Sequence, residues 1–144
     1  MAIILIMGLS GSGKTTLANK LQQDLNQLKK TTEYFNANQI RQEYDDWDFT
    51  LEGRVRQGRR MRDLATKSKS DFAICDFIAP LSETQELFSN DIIIWMATID
   101  ESKYKDTDSI FVPPEDYSLK IKIFDSDSCS KYIINHIIKA LPAR

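Results

Sequence analysis

Strands alternating with amphipathic helices predict an α/β fold of three layers, a five-stranded parallel sheet flanked by helices. Three observations carry that expectation. Ala2 to Met7 is continuously apolar, as a parallel strand covered on both faces must be, and Asp91 to Ala97 reads as a second buried strand of this kind. Lys14 to Leu28 sets Leu17, Ala18, Leu21, Leu25 and Leu28 at helical spacing, with Asn and Gln on the opposite face. The 144 residues fit one domain, 1–144, with a core of its own.

The other elements follow in order. Thr32 to Phe35 reads as a short strand and Asn38 to Tyr44 as a short helix, before an aromatic and acidic loop around Trp47, Asp48 and Phe49. Thr50 can cap the next helix, Leu51 to Lys69. Its apolar stripe is Leu51, Val55, Met61, Leu64 and Ala65, while Arg54, Arg56, Arg59, Arg60 and Arg62 crowd the remaining faces. Phe72 to Cys75 is a strand ending at Asp76, and Ser82 to Phe88 a helix. Asp100 to Pro114 reads as loop, since it is polar and carries Pro113 and Pro114 in tandem. Leu119 to Phe124 alternates as the last strand, and Ser128 to Leu141 as a helix with Tyr132, Ile133, Ile137, Ala140 and Leu141 facing inward.

Bulk composition narrows the class only broadly. With 42% hydrophobic and 28% charged residues the chain is an ordinary globular one, and a net charge of -2 gives no overall attraction to nucleic acid or anionic membrane. The longest apolar run, Ala2 to Leu9, falls far short of the roughly 20 residues that span a bilayer, so a cytoplasmic protein with no membrane partner is expected. Cys75 and Cys129 are expected as buried reduced thiols, and a single histidine, His136, with no closely paired cysteines argues against a zinc site.

Gly8-Leu9-Ser10-Gly11-Ser12-Gly13-Lys14-Thr15 fits the phosphate-loop pattern G-x-x-x-x-G-K-[ST], directly between a buried strand and an amphipathic helix. Glycines let successive N–H groups turn toward a β-phosphate, and the helix N-terminus adds partial positive charge. Gly8, Ser10, Gly11, Ser12, Gly13, Lys14, Thr15 and Thr16 are therefore expected to hold ATP, with Lys14 at the β- and γ-phosphates and the Thr15 hydroxyl on Mg2+. The base-reading N-K-x-D and the D-x-x-G of switch GTPases are absent, which leaves small-molecule kinases favoured. Asp76 ends an apolar strand as a Walker-B aspartate does and is expected to hold a magnesium-bound water or to orient the attacking hydroxyl.

Beyond the phosphate loop, the chain resembles the adenylylsulfate kinase family, which phosphorylates the 3′-hydroxyl of adenosine 5′-phosphosulfate with Mg-ATP on a P-loop kinase fold. GLSGSGKTT matches that family's loop; Asn36-Ala37-Asn38-Gln39-Ile40-Arg41 stands where the family has D-G-D-N-x-R. Asp48-Phe49-Thr50 resembles its G-F-S, Arg54-Val55-Arg56-Gln57 its R-x-x-N, and Phe77-Ile78-Ala79-Pro80 its F-I-S-P. The resemblance implies an acceptor site made by Asn38, Arg41, Phe49, Arg54, Gln57, Ile78 and Tyr104, with Phe49 and Tyr104 as two sides of an aromatic clamp. Arg54 and Gln57, three apart, share a helix face suited to a phosphate, sulfate or base edge.

Two departures from the family shape the chemistry. Asn36 and Asn38 replace its acidic pair, and an amide positions a hydroxyl without taking its proton. Asn38 is thus expected as a positioning group beside the catalytic Lys14 and Asp76. The lid, Thr98 to Asp108, is short, with Lys103 and Lys105 as its only cations, and Lys103 is expected at the ATP phosphates. Three readings stand side by side: a kinase for a small nucleotide-like acceptor, a nucleoside or modified-DNA-base kinase using the arginine-rich helix, and a nucleotide-binding protein without transferase activity. A homodimer is a further expectation.

Overall fold

The computed structural model describes residues 1–139. The phosphate-loop strand β1 (Ala2–Met7) lies at the centre of a five-stranded sheet, because its side chains are apolar on both faces and need cover on both. Its partners are β3 (Phe72–Asp76) and β4 (Ile92–Met96), with β2 (Thr32–Asn36) and β5 (Leu119–Ile121) at the edges, in the order β2-β3-β1-β4-β5. All four pairings are parallel.

Residue alternation along β1 divides the core in two. Ile4 and Ile6 point to the layer of α1 (Lys14–Gln27), where Leu17, Leu21 and Leu25 meet Ile133 and Ile134 from the C-terminal helical segment. Ile3, Leu5 and Met7 point to the other layer, where Met61 and Ala65 of α3 (Leu51–Lys67) and Phe88 cover them. Each fully buried Leu, Ile, Met or Phe contributes about 1.5–3 kcal/mol, so these two clusters hold the sheet that aims the strand ends. Between β2 and α3 lies α2 (Ala37–Tyr44), capped by the Asn36 side chain accepting from Gln39 N; Thr50 caps α3 by accepting from Gly53 N.

Several boundaries differ from expectation. Asp100 to Pro114 is not all loop, for it contains α5 (Lys105–Ile110), and the short α4 (Ser82–Glu86) ends before Phe88. β5 stops at Ile121, so Ile123 and Phe124 lie beyond it. The last helix begins earlier, as α6 (Ser126–Tyr132), and continues as a π-helical stretch, Ile133–Ile138. Tyr132 does not face inward: it is half exposed and stacks on His136 at 4.5 Å, while Ser130, Ile133 and Ile134 take the buried side. Ala140 and Leu141 lie outside the described residues. Leu28 and Leu51 sit at exposed helix ends, and Cys129 is only half-buried, whereas Cys75 is fully enclosed; both thiols are free.

Candidate active site

A cavity of about 400 Å³ opens at the carboxyl ends of β1, β2 and β3, where an open α/β sheet binds ligands. Its floor is the phosphate loop: Ser10, Gly11, Gly13, Lys14, Thr15 and Thr16 all line it, with Asp76 at the end of β3. Gly8 and Ser12 belong to the same loop without lining the cavity. Gly13, at φ +104°, starts α1 in a left-handed conformation, and a Cβ there would stand 2.9 Å from the Phe124 ring. The loop is fixed from β4's side by Thr98 Oγ1, which donates to Ser12 O at 2.8 Å. Ser12 Oγ is buried and has no hydrogen-bond partner among the described residues, as expected of a polar atom in a loop built to meet a phosphate.

Lys14 is buried and donates from Nζ to Leu9 O at 3.0 Å; burial lowers its pKa below the usual lysine value, with Asp76 opposing the shift. Asp76 is the hub of the floor. Its Oδ2 accepts from Thr15 Oγ1 at 2.8 Å, from Tyr34 OH at 2.5 Å and from Asn36 Nδ2 at 3.2 Å. Burial, followed by the hydrogen bond to Asp76, pushes the Tyr34 phenol up to about 12, so the hydroxyl stays a donor across the physiological range. The acid that Asn36 lacks is supplied by its direct register partner, because Asn36 on β2 pairs with Asp76 on β3. Neither Tyr34 nor this role of Asn36 was visible as a motif.

Three elements build the wall facing that floor. Arg41 of α2 donates from Nη1 to Asp46 O (2.9 Å) and Asp48 O (3.3 Å), and its guanidinium lies 4.5 Å from the Phe49 ring centre. Arg54 of α3 donates from Nε to Phe49 O at 2.9 Å and from Nη2 to Thr107 Oγ1 at 3.1 Å, with Asp106 at 3.6 Å. Burial lowers the pKa of both guanidinium groups, leaving them nonetheless cationic. Gln57 donates to Ala37 O at 3.1 Å and so ties α3 to the start of α2. Gly53 permits the loop to close down on α3, since a Cβ there would lie 2.3 Å from Asp48 O. Exposed Asn38 and half-buried Ile78 complete the rim, Ile78 being turned in ahead of Ala79, which adopts a strained φ of 49° before Pro80.

Two expected members stand apart from the cavity. Tyr104 does not line it and forms no clamp with Phe49; the ring beside Phe49 is Trp47, at 6.5 Å. Lys103 does not line it either, and its ammonium lies 5.2 Å from the Tyr104 ring. From the same segment Thr107 bears on the wall, accepting from Arg54 without lining the cavity, and the segment's sequence shows no helical apolar stripe. The arginine-rich face is largely committed within the protein. Arg56 and Arg60 both pair with Asp46 at 2.8 Å, Arg56 also reaches Asp48, and Arg62 pairs with Asp91.

A phosphate loop on a sheet of this order defines the P-loop kinase class, and comparison with known proteins narrows it. The model of the family described as "Adenylylsulphate kinase" matches residues 1–97, and the chain belongs to that family. It is 34% identical over 90 residues to the "Bifunctional enzyme NodQ" of Rhizobium tropici, a match covering 60% of this chain and 14% of that protein. The chain thus spans only a small part of the curated relatives it matches. The fold is similar to the APS kinase CysC of Mycobacterium tuberculosis in complex with AMPPNP and APS (TM-score 0.75, 17% identity, 93% of this chain and 95% of that one). It is also similar to the hexameric APS kinase of Thiobacillus denitrificans (TM-score 0.73, 23% identity, 92% and 27%). Among the described residues no helix is long and apolar enough to cross a membrane.

Proposed function

We propose that the chain transfers the γ-phosphoryl group of ATP to the 3′-hydroxyl of adenosine 5′-phosphosulfate. The observation that carries this reading is one cavity in which Lys14, Thr15 and Asp76 form the floor and Phe49 with Arg54 forms the opposite wall. The floor suits a polyphosphate. An aromatic face flanked by guanidinium groups suits an acceptor that joins a flat base to an anion.

The Thr15 hydroxyl and the Asp76 carboxylate are hard oxygen donors 2.8 Å apart, a pair that fits Mg2+, which takes few protein ligands and relies on substrate phosphates for the rest. When bound, that ion supplies charge neutralisation at the phosphates. Lys14 swings from Leu9 O to the same phosphates, and the loop N–H groups hold them in line. Asn38 orients the acceptor hydroxyl without removing its proton, which phosphoryl transfer tolerates because positioning and charge carry most of the catalysis. Asp76 holds Thr15 and the metal side of the site in place.

The nucleic-acid reading is weaker, because four of the five helix arginines are held in ion pairs with aspartates, and one of these, Arg54, is buried in the cavity wall. ADP production from magnesium-ATP, measured with adenosine phosphosulfate, nucleosides or DNA added separately, decides between the readings. Stimulation by adenosine phosphosulfate is expected. Stimulation by DNA alone overturns the proposal, and tight ATP binding with no stimulated release by any acceptor identifies a protein without transferase activity. Asp76→Asn is expected to cut turnover about a hundredfold and to weaken the response to magnesium. Intact turnover and metal response in that variant exclude Asp76 from the metal side of the site.

A further inference from the structure

We infer that Tyr34 is a positioning residue for the phosphate-transfer site, acting through Asp76. The inference rests on the proposed metal-side role of Asp76. Packing alone accounts for the ring of Tyr34, which lies against the α1-side core, but phenylalanine would pack there equally well. What packing leaves unexplained is the hydroxyl, aimed at Asp76 Oδ2 at 2.5 Å.

The carboxylate needs such a partner. Rotation about the terminal bond of an aspartate is broad and twofold, so nothing intrinsic decides which oxygen faces a ligand. Directed donors decide it in this site. Thr15, Tyr34 and Asn36 all donate to Oδ2, and no donor among the described residues reaches Oδ1. The amide of Asn36 cannot be turned the other way without cost, since its Oδ1 caps α2 by accepting from Gln39 N at 3.2 Å. Its Nδ2, bonded also to Tyr34 OH at 3.2 Å, is thereby fixed toward Asp76. Two residues one step apart on the same face of β2 thus hold a carboxylate on β3, and the register Tyr34 to Ile74 and Asn36 to Asp76 brings them there. Oδ1 is thereby left without a donor among the described residues, so Asp76 with Thr15 would help hold Mg2+, which would neutralise phosphate charge there.

The test is the factor by which magnesium tightens ADP binding, measured by calorimetry with magnesium chloride and again with EDTA, so that no turnover is involved. Tyr34→Phe is expected to lower that factor about three- to tenfold, the net worth of an ordinary hydrogen bond, since its effect reaches the metal only through Asp76, while metal-free ADP binding stays within about twofold. In the Asp76→Asn background the same substitution is expected to add nothing, because its route is gone. If Asp76→Asn lowers the factor and Tyr34→Phe does not, the inference fails while the role of Asp76 stands. If neither lowers it, both fail. A Tyr34→Phe protein with a lower Tm and an unchanged magnesium factor assigns the hydroxyl to stability alone and overturns the inference, as does a loss of equal size with and without Asp76.

Discussion

The floor and the wall of the cavity are built by different means. On the floor, the polar atoms that matter are placed by regular structure: a loop between β1 and α1, an aspartate ending β3, and an asparagine at the paired position of β2. On the wall, Arg41, Arg54 and Gln57 come from two helices and spend hydrogen bonds on main-chain carbonyls of Asp46, Asp48, Phe49 and Ala37. Floor side chains bond mainly to one another and to the phosphate loop, on strands that the sheet already holds together, whereas wall side chains tie separate helices and loops to each other. Substitution on the floor is expected to separate chemistry from stability. On the wall the two losses are expected together.

Lys14→Ala is the sharpest case on the floor. It removes a buried cation whose one hydrogen-bond partner among the described residues is a loop carbonyl, so little of the fold depends on it. Turnover at saturating substrates is expected to fall about a thousandfold, in the range found when a charge-stabilising donor is lost, with Tm nearly unchanged. A large drop in Tm would erase the contrast between the two regions. Arg54→Ala tests the wall. It removes hydrogen bonds to Phe49 O and Thr107 Oγ1 and the guanidinium beside the Phe49 ring, linking α3, the aromatic loop and α5. The acceptor KM is expected to rise about 10- to 100-fold, since hydrogen bonds to charged groups are worth about 1.5–3 kcal/mol. For this variant Tm is expected to fall as well, and a pure KM effect would show that the wall is as independent of the fold as the floor.

The same division explains what the sequence made legible. The phosphate loop is contiguous and flanked by unmistakable elements, and Asp76 announces itself by ending an apolar strand, so both could be placed without coordinates. Tyr34 could not. Its role depends on the register between β2 and β3, segments 40 residues apart whose alignment no local pattern encodes. Arg54 and Phe49 were legible as residues through a family resemblance, but their mutual hydrogen bond was not. The clamp expected from Tyr104 failed because α5, a six-residue helix with one buried residue, Thr107, offers no apolar periodicity to reveal how the lid folds. In the last helix Ser130, a polar residue bonded to Asp24 at 2.7 Å, shares the buried side with Ile133 and Ile134, and Tyr132 is turned outward; an apolar stripe gives no sign of a buried serine.

The smallest expected effect concerns the loop behind the wall. Asp46 accepts from Arg56 Nε at 2.8 Å and Arg60 Nη2 at 2.8 Å, and its own carbonyl holds Arg41. The Arg56 hydrogen bond first, then that of Arg60, keeps the Asp46 carboxyl well below the usual carboxylate range. A depressed folded-state pKa contributes stability that is fully present above the unfolded value, near pH 4, and is lost as the pH falls through the folded value. Wild type is therefore expected to exceed Asp46→Asn in Tm at pH 7, with the gap narrowing steadily as the pH is lowered beneath about 4 and shrinking in high salt, because the pairs are partly exposed. The floor variant Lys14→Ala, measured in the same series, is expected to track wild type throughout. If instead the Asp46→Asn gap stays constant with pH, the loop is held by packing and main-chain bonds rather than by these ion pairs, and the wall's dependence on charged cross-links reduces to Arg41 and Arg54.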